Sequence, residues 1–120
     1  DEKGTIDAPI ARQQESIITR CVRADGQSAV THYERVYYND RFSFAEIHLE
    51  TGRTHQIRVH FAHIGHPLAG DDMYGGKLDF INRQALHCGK MIFTDYVSGE
   101  TKTVIAEISD DIKALFDGGI

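Results

Sequence analysis

Apolar residues recur along the chain with two different periods. Residues 15–24, ESIITRCVRA, and 28–38, SAVTHYERVYY, are rich in β-branched and aromatic types and read as strands. Asp25-Gly26 lies between them, a pair suited to the turn of a hairpin joining the two. In SFAEIHLE, Ala45, Ile47 and Leu49 alternate with Phe44, Glu46, His48 and Glu50, the period-2 pattern of a half-buried strand, with Asn39-Asp40 as its turn. After Thr51-Gly52 the period lengthens. Ile57, Phe61 and Ile64 fall at i, i+4 and i+7, Thr54 stands where a helix cap would, and Gly65 to Pro67 form a stop, so residues 55–64 are expected to be helical.

Such a helix puts Arg58 about a hundred degrees round from Ile57, beside the buried stripe and at the rim of a cleft. PLAGDDMYGG is glycine-rich and reads as a loop, the kind of segment that meets ligands. QALHCGKMIFT then reads as a strand and Ser98-Gly99 as a turn. KTVIAEIS reads as the partner strand, with Val104, Ala106 and Ile108 facing one way. DIKALF is a last helix, capped by Asp110 or Asp111 and ended by Gly118. The order of elements gives α+β, a mixed and mainly antiparallel sheet with short flanking helices.

Length and composition narrow the class. A chain of 120 residues fits one domain and buries roughly two thirds of its unfolded surface. There is no apolar run near the ~20 residues of a membrane span, so no membrane partner is expected. Two distant cysteines, Cys21 and Cys88, argue against a disulfide scaffold and for a cytoplasmic protein. The formal net charge of −5 argues against nucleic-acid binding by bulk charge and leaves room for a local basic patch. Such a patch is present: from Gly52 to Gly70 the chain carries Arg53, Arg58, His55, His60, His63 and His66 with no carboxylate.

Each candidate has a plainer alternative. His60, His63 and His66 suggest a metal, but no thiol or carboxylate stands near in sequence and H-E-x-x-H is absent. Histidines bonded to backbone carbonyls near a helix end are the preferred reading, and no metal is expected. His87 and Cys88 are adjacent on an expected strand, point to opposite faces and cannot pair, so Cys88 reads as a buried apolar residue. No phosphate-cradling glycine loop occurs. Asp71-Asp72 offers acid–base chemistry, though a turn cap or a pair with a nearby arginine is favoured. Arg53, His60 and His63 taken singly read as a solvated helix side. Taken together, the arginine and histidine face is suited to phosphates, with one guanidinium orienting a carboxylate. The residues alone leave these two readings open.

GRTHQIRVH followed by IGHPLAGDDMYGG, residues 52–76, resembles the third sequence motif of the RluA-type pseudouridine synthases, those of the large-subunit ribosomal RNA class. GQSAVTHYERV resembles a strand of that family, and RQALHC with MIFTDYVSGE resembles its close, with Tyr96-Val97 where His-Pro is usual. The resemblance implies conversion of uridine to pseudouridine in RNA, expected to be ribosomal, without a cofactor. The N1 glycosidic bond breaks, the base turns and a bond forms from C5. It implies an aspartate acting on a flipped-out uridine and an arginine paired with it. Carried over by position, that arginine is Arg58, Ile57 lines the base pocket, and Arg53, His55, Gln56 and His60 join it in contacting substrate.

The family's H-R-L-D-x-x-T-S-G segment, which carries the aspartate, is absent from these residues, and GTIDAPIAR resembles a stretch C-terminal to that segment in the family. Residues 1–120 are therefore expected to be the C-terminal portion of one synthase domain, inactive without the upstream aspartate. The partner expected is RNA, not DNA, and exposed strand edges predict self-association. The runner-up is a non-catalytic RNA-binding module of the same fold.

Overall fold

The computed structural model describes residues 3–13, 19–88, 90–94, 101–105 and 108–116. The chain packs as two compact units, Asp1–Ala85 and Leu86–Ile120. In the first, β1 (Lys3–Asp7), β4 (Val30–Tyr38) and β5 (Ser43–Leu49) form an antiparallel sheet in the order β1-β4-β5. β2 (Ile10–Arg12) and β3 (Arg20–Val22) form a separate two-stranded ribbon. Helix α1 (Gln56–His63) packs against β3 and β4, and a single 3-10 turn spans Asp72–Tyr74. The architecture is α+β.

β4 is central because its sequence serves both neighbours and the helix. Thr31 is fully buried, while Glu34, Val36 and Tyr38 face out. The register shifts between Arg35 and Tyr37, where Val36 is left out of the pairing with β5. Asn39 closes the β4–β5 hairpin: its Oδ1 accepts from the backbone N–H of Arg41 and Phe42, at 2.9 and 2.8 Å. Apolar burial falls in two small clusters. One is Ile6, Ala8 and Phe61, with Tyr33, Ile47 and Ile57 against it; the other is Ile10, Ala29 and Val59, with Val22 and Tyr74.

Several expectations change. The Asp25-Gly26 turn exists but does not join a hairpin: β3 pairs with β2, and β4 pairs with β1 and β5. Gly26 instead passes over Ile10, whose carbonyl carbon would lie 2.5 Å from a Cβ there, and Gln27 bridges to Ile10. The expected strand over 15–24 is seen only as β3; positions 14–18 lie outside the described residues. Helix α1 begins behind His55, in the left-handed region at φ 56°, and Thr54 does not cap it. Its end is as expected. Gly65, at φ +87°, donates to the Ala62 carbonyl and His66 to that of Phe61, a Schellman closure.

In the second unit, β6 (Lys90–Thr94) pairs antiparallel with β7 (Thr101–Ile105), and α2 (Asp110–Ala114) follows. Ser109, not an aspartate, holds the position before α2, and Asp111 Oδ1 accepts from Ile112 N–H at 2.9 Å. Cys88 is exposed rather than buried, because strand β6 starts only at Lys90 and residue 88 is irregular. The Tyr96-Val97 and Ser98-Gly99 positions, Ala106 and Gly118 lie outside the described residues, as does the side-chain direction of Val104.

Candidate active site around Arg58

The helix α1 face that turns inward is polar as well as apolar. Gln56, Val59, His60 and Phe61 are buried, whereas Ile57 is half-buried and Ile64 is 37% exposed. The stripe is thus rotated from the one the apolar residues suggest, because two polar side chains at i and i+4 are satisfied inside. Gln56 uses its whole amide. Its Nε2 donates to the Val30 carbonyl and to Thr31 Oγ1, both at 3.0 Å. Its Oε1 accepts from Thr51 Oγ1 at 2.6 Å and from Arg53 N–H at 3.0 Å.

His60 continues this network. Its Nε2 meets the Ala8 carbonyl at 2.8 Å, and its Nδ1 meets Thr31 Oγ1 at 2.8 Å. A carbonyl only accepts, so Nε2 carries the proton and Nδ1 accepts from the threonine hydroxyl. Burial pushes the His60 pKa below its ordinary value, against the opposing pull of the Ala8 carbonyl. Of the two readings of His60, the histidine bonded to a backbone carbonyl holds and the solvated one is corrected: it is wholly buried, and it joins α1 to β4 and to the chain just after β1. Gln56 and His60 offer no polar atom to a ligand at the surface, since each ends on the protein's own backbone and hydroxyls.

With that side fixed, Arg58 points to the loop after α1. Its Nε donates to Asp71 Oδ2 at 3.0 Å and its Nη2 to Asp71 Oδ1 at 2.8 Å, a bidentate ion pair. The Asp71 side chain is fully buried and that of Arg58 is 14% exposed. The hydrogen bonds it donates to Asp71 raise the guanidinium's pKa further, outweighing burial. Asp71 is held in turn by its backbone: its N–H donates to Leu68 O, and its carbonyl accepts from Tyr74 and Gly76. Gly70, at φ +77°, makes this possible; a Cβ there would lie 1.9 Å from the Arg83 carbonyl oxygen. Nη1 of Arg58 takes no hydrogen bond among the described residues.

Tyr74 completes the group. Its ring lies 5.1 Å under the Arg58 guanidinium carbon. Its hydroxyl accepts from Arg20 N–H at 3.0 Å and is hydrogen-bonded to His55 Nδ1 at 2.7 Å. The left-handed backbone at His55 aims the ring there, an uncommon conformation of the kind found at functional sites. Burial, then the positive charges of Arg58 and Arg20, push His55 below the ordinary histidine pKa, with Asp71 opposing. Arg53 lies apart, its Nε donating to Ser28 O at 2.7 Å. Ile57 packs on the cluster of Ile6, Ala8 and Phe61. The sequence pattern did not single out Tyr74 and favoured a structural pair for Asp71. The signal for both was D-x-x-Y, which one 3-10 turn folds onto Arg58.

The arrangement is an arginine clamped along one edge and backed by an aromatic ring, with its other edge available to a second anion. Comparisons with known proteins place the chain as a whole. The sequence profile of the family described as RNA pseudouridylate synthase matches residues 1–63. The chain belongs to the RNA pseudouridine synthase family.

Relatives include the RNA pseudouridine synthase YjbO of Bacillus subtilis, itself called uncharacterized, 47% identical over 97% of this chain and 41% of the relative. Ribosomal large subunit pseudouridine synthase D of Xanthomonas campestris is 41% identical over 93% of this chain and 38% of its own length. Among solved structures, human RNA pseudouridylate synthase domain containing 1 superposes with a TM-score of 0.73 at 27% identity. That match covers 89% of this chain and 49% of the human chain. The chain therefore spans about two fifths of the length of these curated relatives, and the synthase fold is placed by sequence and structure alike. Among the described residues no helix is long and apolar enough to cross a membrane.

Proposed function

We propose that this chain forms the arginine-bearing side of a site that isomerises uridine to pseudouridine in RNA, in the cytoplasm, and that Arg58 is the ion-pair partner of the catalytic aspartate. Ribosomal RNA is the substrate class, as the name of the Xanthomonas relative indicates for that protein. The observation that carries the reading is the half-used guanidinium. Asp71 fixes the Nε–Nη2 edge, and Nη1 remains for a carboxylate from a segment of the H-R-L-D type. A carboxylate beside that edge would stay ionised when the closing site excludes water, since a neighbouring cation favours its charged form.

Among the described residues the carboxylate bonded to Arg58 is Asp71, which is wholly buried and cannot reach a base. Residues 1–120 alone are accordingly proposed to be inactive. The test uses the intact protein that carries this chain and an RNA labelled with tritium at uridine C5. Forming the new carbon–carbon bond at C5 expels that hydrogen, so tritium release reports turnover. The intact protein is expected to release tritium, and Arg58→Ala to lower the single-turnover rate about 100-fold or more. Full activity of Arg58→Ala would sink the ion-pair assignment. RNA binding by the intact protein without any tritium release would instead identify a non-catalytic binding module.

A further inference from the structure

A bidentate ion pair fixes two atoms of a guanidinium and leaves one motion open. With Nε and Nη2 of Arg58 both held by Asp71, the group can still pivot about the line joining those bonds, and the pivot swings Nη1. The Tyr74 ring, its centroid 5.1 Å from the guanidinium carbon, lies where it blocks that swing on one face. Met73 is 43% exposed and meets Nη2 only through its sulfur at 3.9 Å, too loose a contact to do the same. A ring can hold a guanidinium only if the ring is itself held. Tyr74 is fixed at three points: its backbone N–H donates to Asp71 O at 3.2 Å, its hydroxyl accepts from Arg20 N–H at 3.0 Å, and the hydroxyl meets His55 Nδ1 at 2.7 Å. The His55 ring also stands edge-on to it, with centroids 5.6 Å apart. These contacts tie the turn Asp72–Tyr74 to β3 and to the start of α1. Among the described residues His55 is the one position other than glycine with positive φ. That backbone gains α1 no side-chain cap; what it gains is the imidazole against Tyr74.

We propose that Tyr74 and His55 are positioning residues: the histidine holds the tyrosine ring, and the ring holds the Arg58 guanidinium at the tilt that presents Nη1 to the catalytic aspartate. The use of that tilt in catalysis rests on the function proposed above; the holding is a property of Asp71, Arg58, Tyr74 and His55 themselves. Neither positioning residue needs to touch the uridine, and the effect of each travels through Arg58. A carboxylate meeting a guanidinium already at the right tilt forms its bonds without further ordering, which is where the rate is gained.

The test pairs tritium release at saturating RNA with nitrogen-15 relaxation of the Arg58 side chain in the intact protein, the Nε resonance being identified by its loss in Arg58→Lys. Tyr74→Leu is expected to lower the single-turnover rate about tenfold while Kd for RNA stays within about twofold, since a misplaced group costs rate more than binding. Tyr74→Phe keeps the ring and should lose only about threefold. In an Arg58→Lys background Tyr74→Leu should cost less than about twofold, because the group it positions is gone. His55→Gly suits the left-handed backbone, so it should keep the parent's melting temperature and still lower the rate about threefold. The order parameter of Nε should match the rigid backbone in the parent and in Tyr74→Phe, and fall in Tyr74→Leu. An unchanged rate or an unchanged order parameter in Tyr74→Leu overturns the proposal, and so does an equal loss in the Arg58→Lys background. If the parent releases no tritium, the isomerase reading fails, and the order parameter alone then decides whether Tyr74 holds Arg58.

Discussion

Asp71 has no route to water, and its two oxygens end on one arginine. A buried pair of this geometry is costly to half-dismantle: removing either charge leaves the other uncompensated, at about 3 kcal/mol or more. Asp71→Asn is expected to lower unfolding free energy by about 3 kcal/mol, read from urea midpoints. Arg58→Met/Asp71→Leu should lose less than the two single changes added together, because it removes both charges at once. Strict additivity would show that the two residues do not interact. At this scale the sequence was only partly legible. The position of Arg58 beside the buried stripe could be read from spacing, and a pairing of Asp71 or Asp72 with a nearby arginine was among the favoured readings; which arginine could not be read, since Asp71 lies beyond a helix stop and a glycine turn. Gln56 and His60 were carried over as substrate contacts by position in the motif; their burial depends on Thr31 and Ala8, which no local pattern brings near.

The element that sets this geometry is the turn from Leu68 to Gly76. Gly70 donates to Lys77 O at 2.9 Å, and Ala85 to Ala69 O at 2.8 Å, so the segment is knit at both flanks. Gly70→Ala combines a left-handed backbone with a collision at Arg83 O, whereas Gly75, at φ +100°, meets nothing nearer than Pro67 Cγ at 4.0 Å. Gly70→Ala is expected to destabilise by about 3 kcal/mol and Gly75→Ala by about 1 kcal/mol, with thermal melts giving the order. Equal melting temperatures would count against the close packing of residues 70 and 83. Strands β4 and β5 and helix α1 were legible because their periods differ; the short β1 and β2 were not foreseen, and neither was the pairing. Asp25-Gly26 has the composition of a hairpin turn, yet the same residues serve to cross over Ile10, and the choice is made by packing of Ile10 against Ala29 and Val59.

For the unit Asp1–Ala85 as a whole, the buried His60 predicts an acid limb of stability. Above about pH 6.5 the imidazole is neutral in both folded and unfolded chains and contributes no pH dependence. Below that, the unfolded chain takes up a proton that the folded one resists, because its pKa is lowered by burial. Stability therefore falls as pH drops towards the folded pKa, by up to ~1.4 kcal/mol per pH unit from this group. Protonating Nδ1 would also turn a donor against Thr31 Oγ1, which already accepts from Gln56. Urea unfolding between pH 7.5 and 5 should show this slope, and His60→Gln should flatten it; an unchanged slope would remove His60 as the cause.

The bond from His60 to the Ala8 carbonyl spans 52 positions of sequence. Closing a loop of that length carries an entropic penalty that only contacts made after closure can offset, whereas the Asn39 hairpin of β4 and β5 closes over a few residues. Helix α1 is thus a late arrival on the folding route. A chain held at the hairpin stage has its longest strands in place and Arg58 still without a fixed direction. During refolding, protection of the α1 amides from hydrogen exchange should lag behind the appearance of sheet structure.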